Sequence, residues 1–195
     1  MGGKILILTS NLSLYKVSII YDCSDLIMPE LIPSKDEVEE KYVARYDAVK
    51  PSSAFFLDTA LPEFERQVKN VIGIAGGEDP ATKPAITAGT GINFNYIVTD
   101  PGKGSALHDH PVWEIFVPVN GRWSIFWGTE NSQEIELGPL DLIALPPGIM
   151  RGFRNIGLEQ AILIAMLGGD DVGDVTWSQS LLDATAGKGI SLQKV

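Results

Sequence analysis

From Ile92 onward the chain is cut into short apolar runs by turn-forming residues. Ile92 to Thr99 ends at Asp100-Pro101-Gly102, and Trp113 to Val119 ends at Asn120-Gly121. Arg122 to Trp127 ends at Gly128, Gln133 to Leu137 at Gly138-Pro139, and Asp141 to Leu145 at Pro146-Pro147-Gly148. Met150 to Arg154 precedes Asn155 to Gly157, and Ala161 to Leu167 ends at Gly168-Gly169. Runs this short, with this punctuation, read as strands of a sandwich or barrel. Asn120-Gly121 between two such runs predicts a hairpin, because both central residues of that turn want φ > 0.

The first part of the chain is less regular. Lys4 to Thr9 and Leu14 to Asp22 read as two strands around a polar break at Asn11. Ser34-Lys35-Asp36-Glu37 matches a capping box, and Val38, Tyr42, Tyr46 and Val49 follow at helical spacing. Ala54 to Leu57 reads as a strand. Leu61 to Ile74 permits a helical turn at Pro62-Glu63 and an extended segment at Val71 to Ile74. Gly76 to Gly91 is a long connection. Beyond the strands, an acidic loop (Asp170 to Asp174) leads to a closing helix, Ser178 to Ala186, stopped at Gly187. The expected organisation is a single domain. Residues 1–91 form an N-terminal extension packing on a barrel core of residues 92–169, and residues 170–195 form a C-terminal helix and tail.

Charge narrows the partners. Lys and Arg number 15 against 25 Asp and Glu, for a formal charge of −10. Such a surface repels phosphate backbones and anionic lipid, so general nucleic-acid binding and membrane-surface docking are not expected. No apolar run approaches the ~20 residues of a membrane span. Cys23 is the single cysteine, which forbids an intrachain disulfide and fits a reducing, cytoplasmic setting.

The chemistry concentrates in one stretch. The two histidines of the chain are His108 and His110, and Glu114 follows after a bend at Pro111. Two residues apart on an extended strand, both imidazoles project to the same face. Two imidazoles and a carboxylate from adjacent backbone are a chelating set for a divalent metal. If Glu114 faces inward, alternation turns Phe116 inward as well, and Trp113 and Ile115 outward. In the next run Trp123, Ile125 and Trp127 share one face, and Ser124 and Phe126 the other. Arg151 and Phe153 share a face. Phe116, Phe126 and Phe153 are the candidate apolar walls of a small-molecule pocket.

The spacing Gly102-x5-His108-x-His110-x3-Glu114-x6-Gly121 resembles the first motif of the cupin superfamily at every fixed position. The second motif, Gly-x5-Pro-x-Gly-x2-His-x3-Asn, is similar to Leu140 to Asn155, with Pro146, Gly148 and Asn155 in register. The resemblance covers about Ile92 to Leu167. It implies an all-β fold: a cupin-like antiparallel β-barrel (double-stranded β-helix or jelly roll). Here the barrel would carry an N-terminal extension of strands plus one short helix, and a short C-terminal helix. The resemblance also implies a central pocket built around Fe, Mn, Ni or Zn and pairing through outer strands, so a homodimer is expected. Dioxygenase, isomerase or decarboxylase chemistry would fit.

Two positions depart from the pattern. Leu140 stands where the family has its first glycine, and Gly138, two residues away, can make the turn instead. Arg151 stands where the family has its third histidine. A guanidinium stays protonated and offers no lone pair. At ~5 Å from a divalent ion, in an effective dielectric of about 20, it is repelled by roughly 7 kcal/mol. Two outcomes follow. Arg151 turns to the pocket mouth and leaves His108, His110 and Glu114 as a three-ligand site completed by water. Alternatively, Arg151 replaces the ion and pairs with Glu114. Its planar fork of donors also suits a carboxylate or phosphate on a ligand. The sequence thus leaves three functions open for a pocket that takes a small polar or anionic organic molecule. They are a metal-dependent enzyme, a metal-free isomerase or epimerase using a histidine base, and a non-catalytic binding or sensing module.

Overall fold

The structure is a computed structural model that describes residues 5–12, 15–22, 32–53, 56–73, 83–169 and 174–188. The chain divides into two compact units, Met1–Asp36 and Glu37–Val195. In the first, β1 (Ile5–Leu12) and β2 (Tyr15–Asp22) form an antiparallel hairpin in which Ile5 pairs with Asp22 and Leu12 with Tyr15. Cys23 lies outside the described residues. Among the described residues no helix is long and apolar enough to cross a membrane.

Two five-stranded antiparallel sheets make up the second unit. One contains β5 (His108–Asp109), β7 (Trp123–Trp127), β8 (Gln133–Leu137), β10 (Arg151–Asn155) and β12 (Thr176–Trp177), in the order β12-β5-β10-β7-β8. The other contains β3 (Gln67–Ile72), β4 (Ile92–Thr99), β6 (Glu114–Pro118), β9 (Ile143–Leu145) and β11 (Ala161–Gly168), in the order β3-β4-β11-β6-β9. The inner faces meet in one core. Phe116, Ile97, Leu163 and Ala165 come from the second sheet, and Trp123, Ile125, Leu137 and Phe153 from the first. Strand alternation produces this directly. In β11, Ala161, Leu163, Ala165 and Leu167 are buried while Ile162, Ile164 and Met166 are half-buried on the outer face. β3 lies in the stretch expected as an N-terminal extension, yet it pairs with β4 as an edge strand of the second sheet.

Four local expectations are corrected. Asn120-Gly121 is not a hairpin turn, because β6 pairs with β11 and β9 while β7 pairs with β10 and β8. The link crosses between sheets. Gly121 takes a positive φ of +76°, whereas Asn120 instead accepts the Ile162 N–H on its Oδ1 (2.7 Å) and the buried Trp123 Nε1–H on its carbonyl (2.9 Å). These bonds fasten the turn to β11 and aim Trp123 into the core. The predicted helix ends early: α1 spans Lys35–Tyr42 and buries no residue. Tyr46 lies beyond it, edge-on to Tyr96 at 5.2 Å and under the Lys69 ammonium at 3.9 Å, so tertiary packing overrides the helical spacing.

In place of a strand at Ala54 to Leu57, residues 54 and 55 lie outside the described residues and Leu57–Ala60 is a 3-10 turn. Its geometry is held by Thr59, whose N–H and hydroxyl both donate to the Phe56 carbonyl (3.1 and 2.6 Å). The helical turn permitted at Pro62-Glu63 is a 3-10 turn at Pro62–Phe64, and the extended segment expected at Val71 to Ile74 starts earlier, as β3 from Gln67 to Ile72, with Ile74 outside the described residues. Finally, Gly138 does not relieve the turn before β9. Leu140 itself takes the left-handed conformation, φ +68°, with its side chain 82% exposed. The closing helix is α2 (Gln179–Ala186), which buries Leu181 and Thr185.

Candidate metal centre

β5 is short but well placed. His108 pairs with Arg151 of β10 on one side and Trp177 of β12 on the other. Glu114 opens β6 in the opposite sheet, in register with Leu145 and Leu167. The bend between them folds the chain from one sheet to the other, and the side chains of His108, His110 and Glu114 meet between the sheets. All three residues are buried, and one ligand atom from each lies within 4.8 Å of the others. His108 Nε2 is 3.7 Å from Glu114 Oε2, and His110 Nε2 is 4.0 Å from Glu114 Oε1.

The protonation states suit ligation. His108 Nδ1 donates to the Ala106 carbonyl at 2.9 Å, which fixes the ring with its Nε2 edge toward the cluster. Burial holds the His110 imidazole neutral, with its pKa lowered from 6.5 to about 4; Glu114 opposes this and the Arg151 guanidinium pushes the same way as burial. Burial opposes ionisation of Glu114. The donors and positive charge around it, among them the Arg151 guanidinium at 2.8 Å, outweigh it and hold the carboxyl at about 2. Bonds of about 2.0–2.2 Å to one ion would set these ligand atoms about 3–3.5 Å apart, so the two histidine–Glu114 spacings, 3.7 and 4.0 Å, would have to shorten on binding.

Arg151 does not turn to the pocket mouth; it pairs with Glu114, as the second expectation had it, and makes further bonds besides. It is fully buried and donates from Nε to Glu114 Oε2 at 2.8 Å. Its Nη1 donates to Asp109 Oδ1 and to the Ile149 carbonyl (3.0 Å), while Nη2 has no partner. Asp109 also receives the Gly148 N–H on both carboxylate oxygens, at 3.2 and 3.0 Å. Arg151 therefore has its own counter-ion. Formally, Glu114, Asp109 and Arg151 together carry one negative charge, which a divalent cation would convert to one positive charge. The donor set and its charge fit such an ion.

Of the candidate wall residues, Phe153 lines the cavity beside the cluster. Phe116 is wholly buried behind it, ring to ring at 5.4 Å. Phe126 faces the other way. It occupies the opposite face of β7 from Trp123 and Ile125, against Gly152 and under the Arg154 guanidinium at 5.6 Å. There it borders a separate cavity of about 440 Å³ with Leu61, Phe64 and Leu181. Strand alternation separated the two faces of β7, but only the packing of Trp123 and Ile125 decides which one turns inward.

Several cavity residues carry no motif. Arg66, Asn95 and Trp177 line the same cavity as the histidines. Arg66 is buried and forks onto Asp58, with Nη1 to Oδ2 at 3.0 Å and Nη2 to Oδ1 at 2.9 Å. Asp58 Oδ2 also receives the Ala106 N–H at 2.9 Å, and the carbonyl of the same residue holds His108.

No protein-family model matches the chain, and no curated protein matches it. Solved structures do. Peruvianin-I, a cysteine peptidase from Thevetia peruviana latex, is 22% identical over 77% of this chain and 82% of its own, with a TM-score of 0.51. A conserved protein with a double-stranded β-helix domain from Klebsiella pneumoniae is 20% identical over 72% of this chain and 99% of its own, with a TM-score of 0.48. A cupin 2 conserved barrel domain protein from Salinispora arenicola is 16% identical over 75% of this chain and 96% of its own, with a TM-score of 0.47. Likenesses at these identities concern the fold and carry no activity across. The chain is built of two facing antiparallel sheets with the His-x-His motif set between them, and its fold is like that of Peruvianin-I.

Proposed function

We propose that His108, His110 and Glu114 hold a divalent transition metal, of the Fe, Mn, Ni or Zn class, in an enzyme acting on a small organic molecule. The observation that carries this reading is the convergence of three buried ligand atoms within 4.8 Å, two of them imidazole nitrogens, that of His110 held neutral, and one an ionised carboxylate oxygen. When bound, the ion supplies Lewis-acid or redox chemistry at its open positions. The chain's own groups supply the rest. The Ala106 carbonyl fixes the tautomer of His108. Arg151 orients Glu114 through Nε and is itself held by Asp109 and Ile149. Phe153, Val68, Ile97 and Leu167 exclude bulk water.

One observation favours a second reading. The Arg151–Glu114 contact places a permanent cation beside the carboxylate, as a metal-free pocket would require. In that version His110, neutral at physiological pH, is the base for an isomerase or epimerase. Titration of chelator-treated protein with Co²⁺, followed by visible absorption, separates the two. The metal reading predicts a 1:1 band that disappears in Glu114→Gln. A protein with no band at millimolar Co²⁺ has the metal-free pocket.

A further inference from the structure

We propose that Asp58 and Arg66 are positioning residues for the centre: their ion pair fixes the Ala106 backbone, and through it the ring of His108. The consequence for ligation rests on the metal reading above. Asp58 lies in the 3-10 turn Leu57–Ala60 and Arg66 just before β3, so both come from a stretch remote in sequence from the histidines. Both are buried, Asp58 at 0% and Arg66 at 5% exposure.

The segment leading into β5 bonds to β10 along one edge. The Asn155 N–H donates to the Lys103 carbonyl and the Ser105 N–H to the Phe153 carbonyl, both at 2.9 Å. Extended backbone turns the polar groups of successive residues to opposite edges, so Gly104 and Ala106 present theirs to the other side. There the ion pair does what a neighbouring strand would do. Arg66 Nη1 donates to the Gly104 carbonyl at 3.0 Å, and Asp58 Oδ2 accepts the Ala106 N–H at 2.9 Å. The two-bond fork between Arg66 and Asp58, at 3.0 and 2.9 Å, holds that donor and that acceptor at a fixed spacing. The rings of Phe56 and Phe153 hold the guanidinium, 5.2 and 5.6 Å from their centres.

Ala106 passes this constraint to the centre. With its N–H tied to Asp58, its carbonyl is aimed at His108 Nδ1, which donates to it at 2.9 Å. That bond sets both the tautomer and the ring plane of a ligand. A buried ion pair gains little net stability over apolar residues of the same volume, because desolvation offsets the attraction. Its contribution here is direction: one donor and one acceptor at the edge of the segment that carries the His108 anchor.

The test uses the full-length, chelator-treated protein at about pH 8.5, above the ordinary histidine range. Long-range proton–nitrogen NMR reads the His108 tautomer, with His110→Gln to assign the signals. The wild type is expected to hold one His108 tautomer, protonated on Nδ1. Asp58→Ala is expected to populate both tautomers and to bind Co²⁺ at least tenfold more weakly, measured by visible absorption. Should that variant fail to fold by circular dichroism, Asp58→Ala combined with Arg66→Met, which leaves no lone buried charge, is expected to give the same two changes. A folded variant that keeps the wild-type tautomer, or whose Co²⁺ affinity stays within threefold, overturns the proposal however far its melting temperature falls. The pair would then serve stability alone. A wild type that binds no Co²⁺ overturns the metal reading, and the tautomer comparison still decides the positioning role.

Discussion

Arg151 faces Glu114 across the two sheets, with its Nε 2.8 Å from Oε2, and it does so from the position directly opposite His108 in the β5–β10 register. A histidine at that position would point a lone pair, rather than a fixed charge, at the same space. Arg151→His is therefore expected to tighten divalent-metal binding at least tenfold, since it removes a repulsion of roughly 7 kcal/mol at ~5 Å, partly offset by Asp109 in the native protein, and adds a ligand. Isothermal titration of chelator-treated protein with Zn²⁺ measures it. Unchanged or weaker binding would show that Arg151 is not competing with the ion.

Acid should loosen the chelator-treated protein before ordinary carboxylates titrate. His110 is held near 4 in the fold by burial and returns to about 6.5 when unfolded. Between those values the unfolded state binds the extra proton, so stability is full above pH 6.5 and falls as pH drops toward 4. The loss is roughly 3 kcal/mol. Glu114, held at about 2, extends the decline below pH 4.5. Urea midpoints measured from pH 7.5 to 4.5 should fall steadily, and His110→Gln should flatten that slope. A flat wild-type profile would contradict the burial of a neutral imidazole.

Leu140 is an exposed residue in a backbone conformation that suits glycine. A left-handed φ costs a branched L-residue about 1 kcal/mol, and the side chain gains little packing in return. Leu140→Gly is expected to raise the melting temperature by about 2–4 °C. A lower melting temperature would mean that Leu140 is covered by something other than solvent.

Much of the fold could be read from local pattern. β4, β6 and β11 announce their buried faces by alternation, and the ligand triad sits in one short stretch around a single bend, so its convergence needed no long-range information. What could not be read depends on partners distant in sequence. Asn95, Arg66 and Trp177 reach the cavity from three other strands or loops. Asp109, between the two histidines, acquires its role only when β10 brings Arg151 alongside. Asn120-Gly121 has hairpin chemistry, but the Asn120 side chain bonds Ile162 and sends the chain to the other sheet. Phe126 alternates correctly yet faces outward, because Trp123 and Ile125 are the residues that fit against Phe153 and Leu163.

Gly104 illustrates a constraint of the same long-range kind. A Cβ there would lie 1.8 Å from the Phe153 carbonyl oxygen, a backbone atom that cannot swing away. Its own carbonyl accepts Arg66 Nη1 at 3.0 Å. Gly104→Ala should destabilise by roughly 3 kcal/mol, lowering the melting temperature by about 6–12 °C. It should also weaken metal binding, because the displaced segment carries the Ala106 carbonyl that holds His108. Differential scanning fluorimetry with and without Zn²⁺ reads both effects, and a wild-type melting curve would contradict the close approach of β10.

The most direct measurement is an anomalous difference map from a crystal soaked in Zn²⁺ and recorded at the zinc edge. The account predicts one strong peak bonded to His108 Nε2, His110 Nε2 and a Glu114 oxygen, with Arg151 still tied to Asp109. A featureless map between these side chains at full soak, with Arg151 still closed on Glu114, would contradict it.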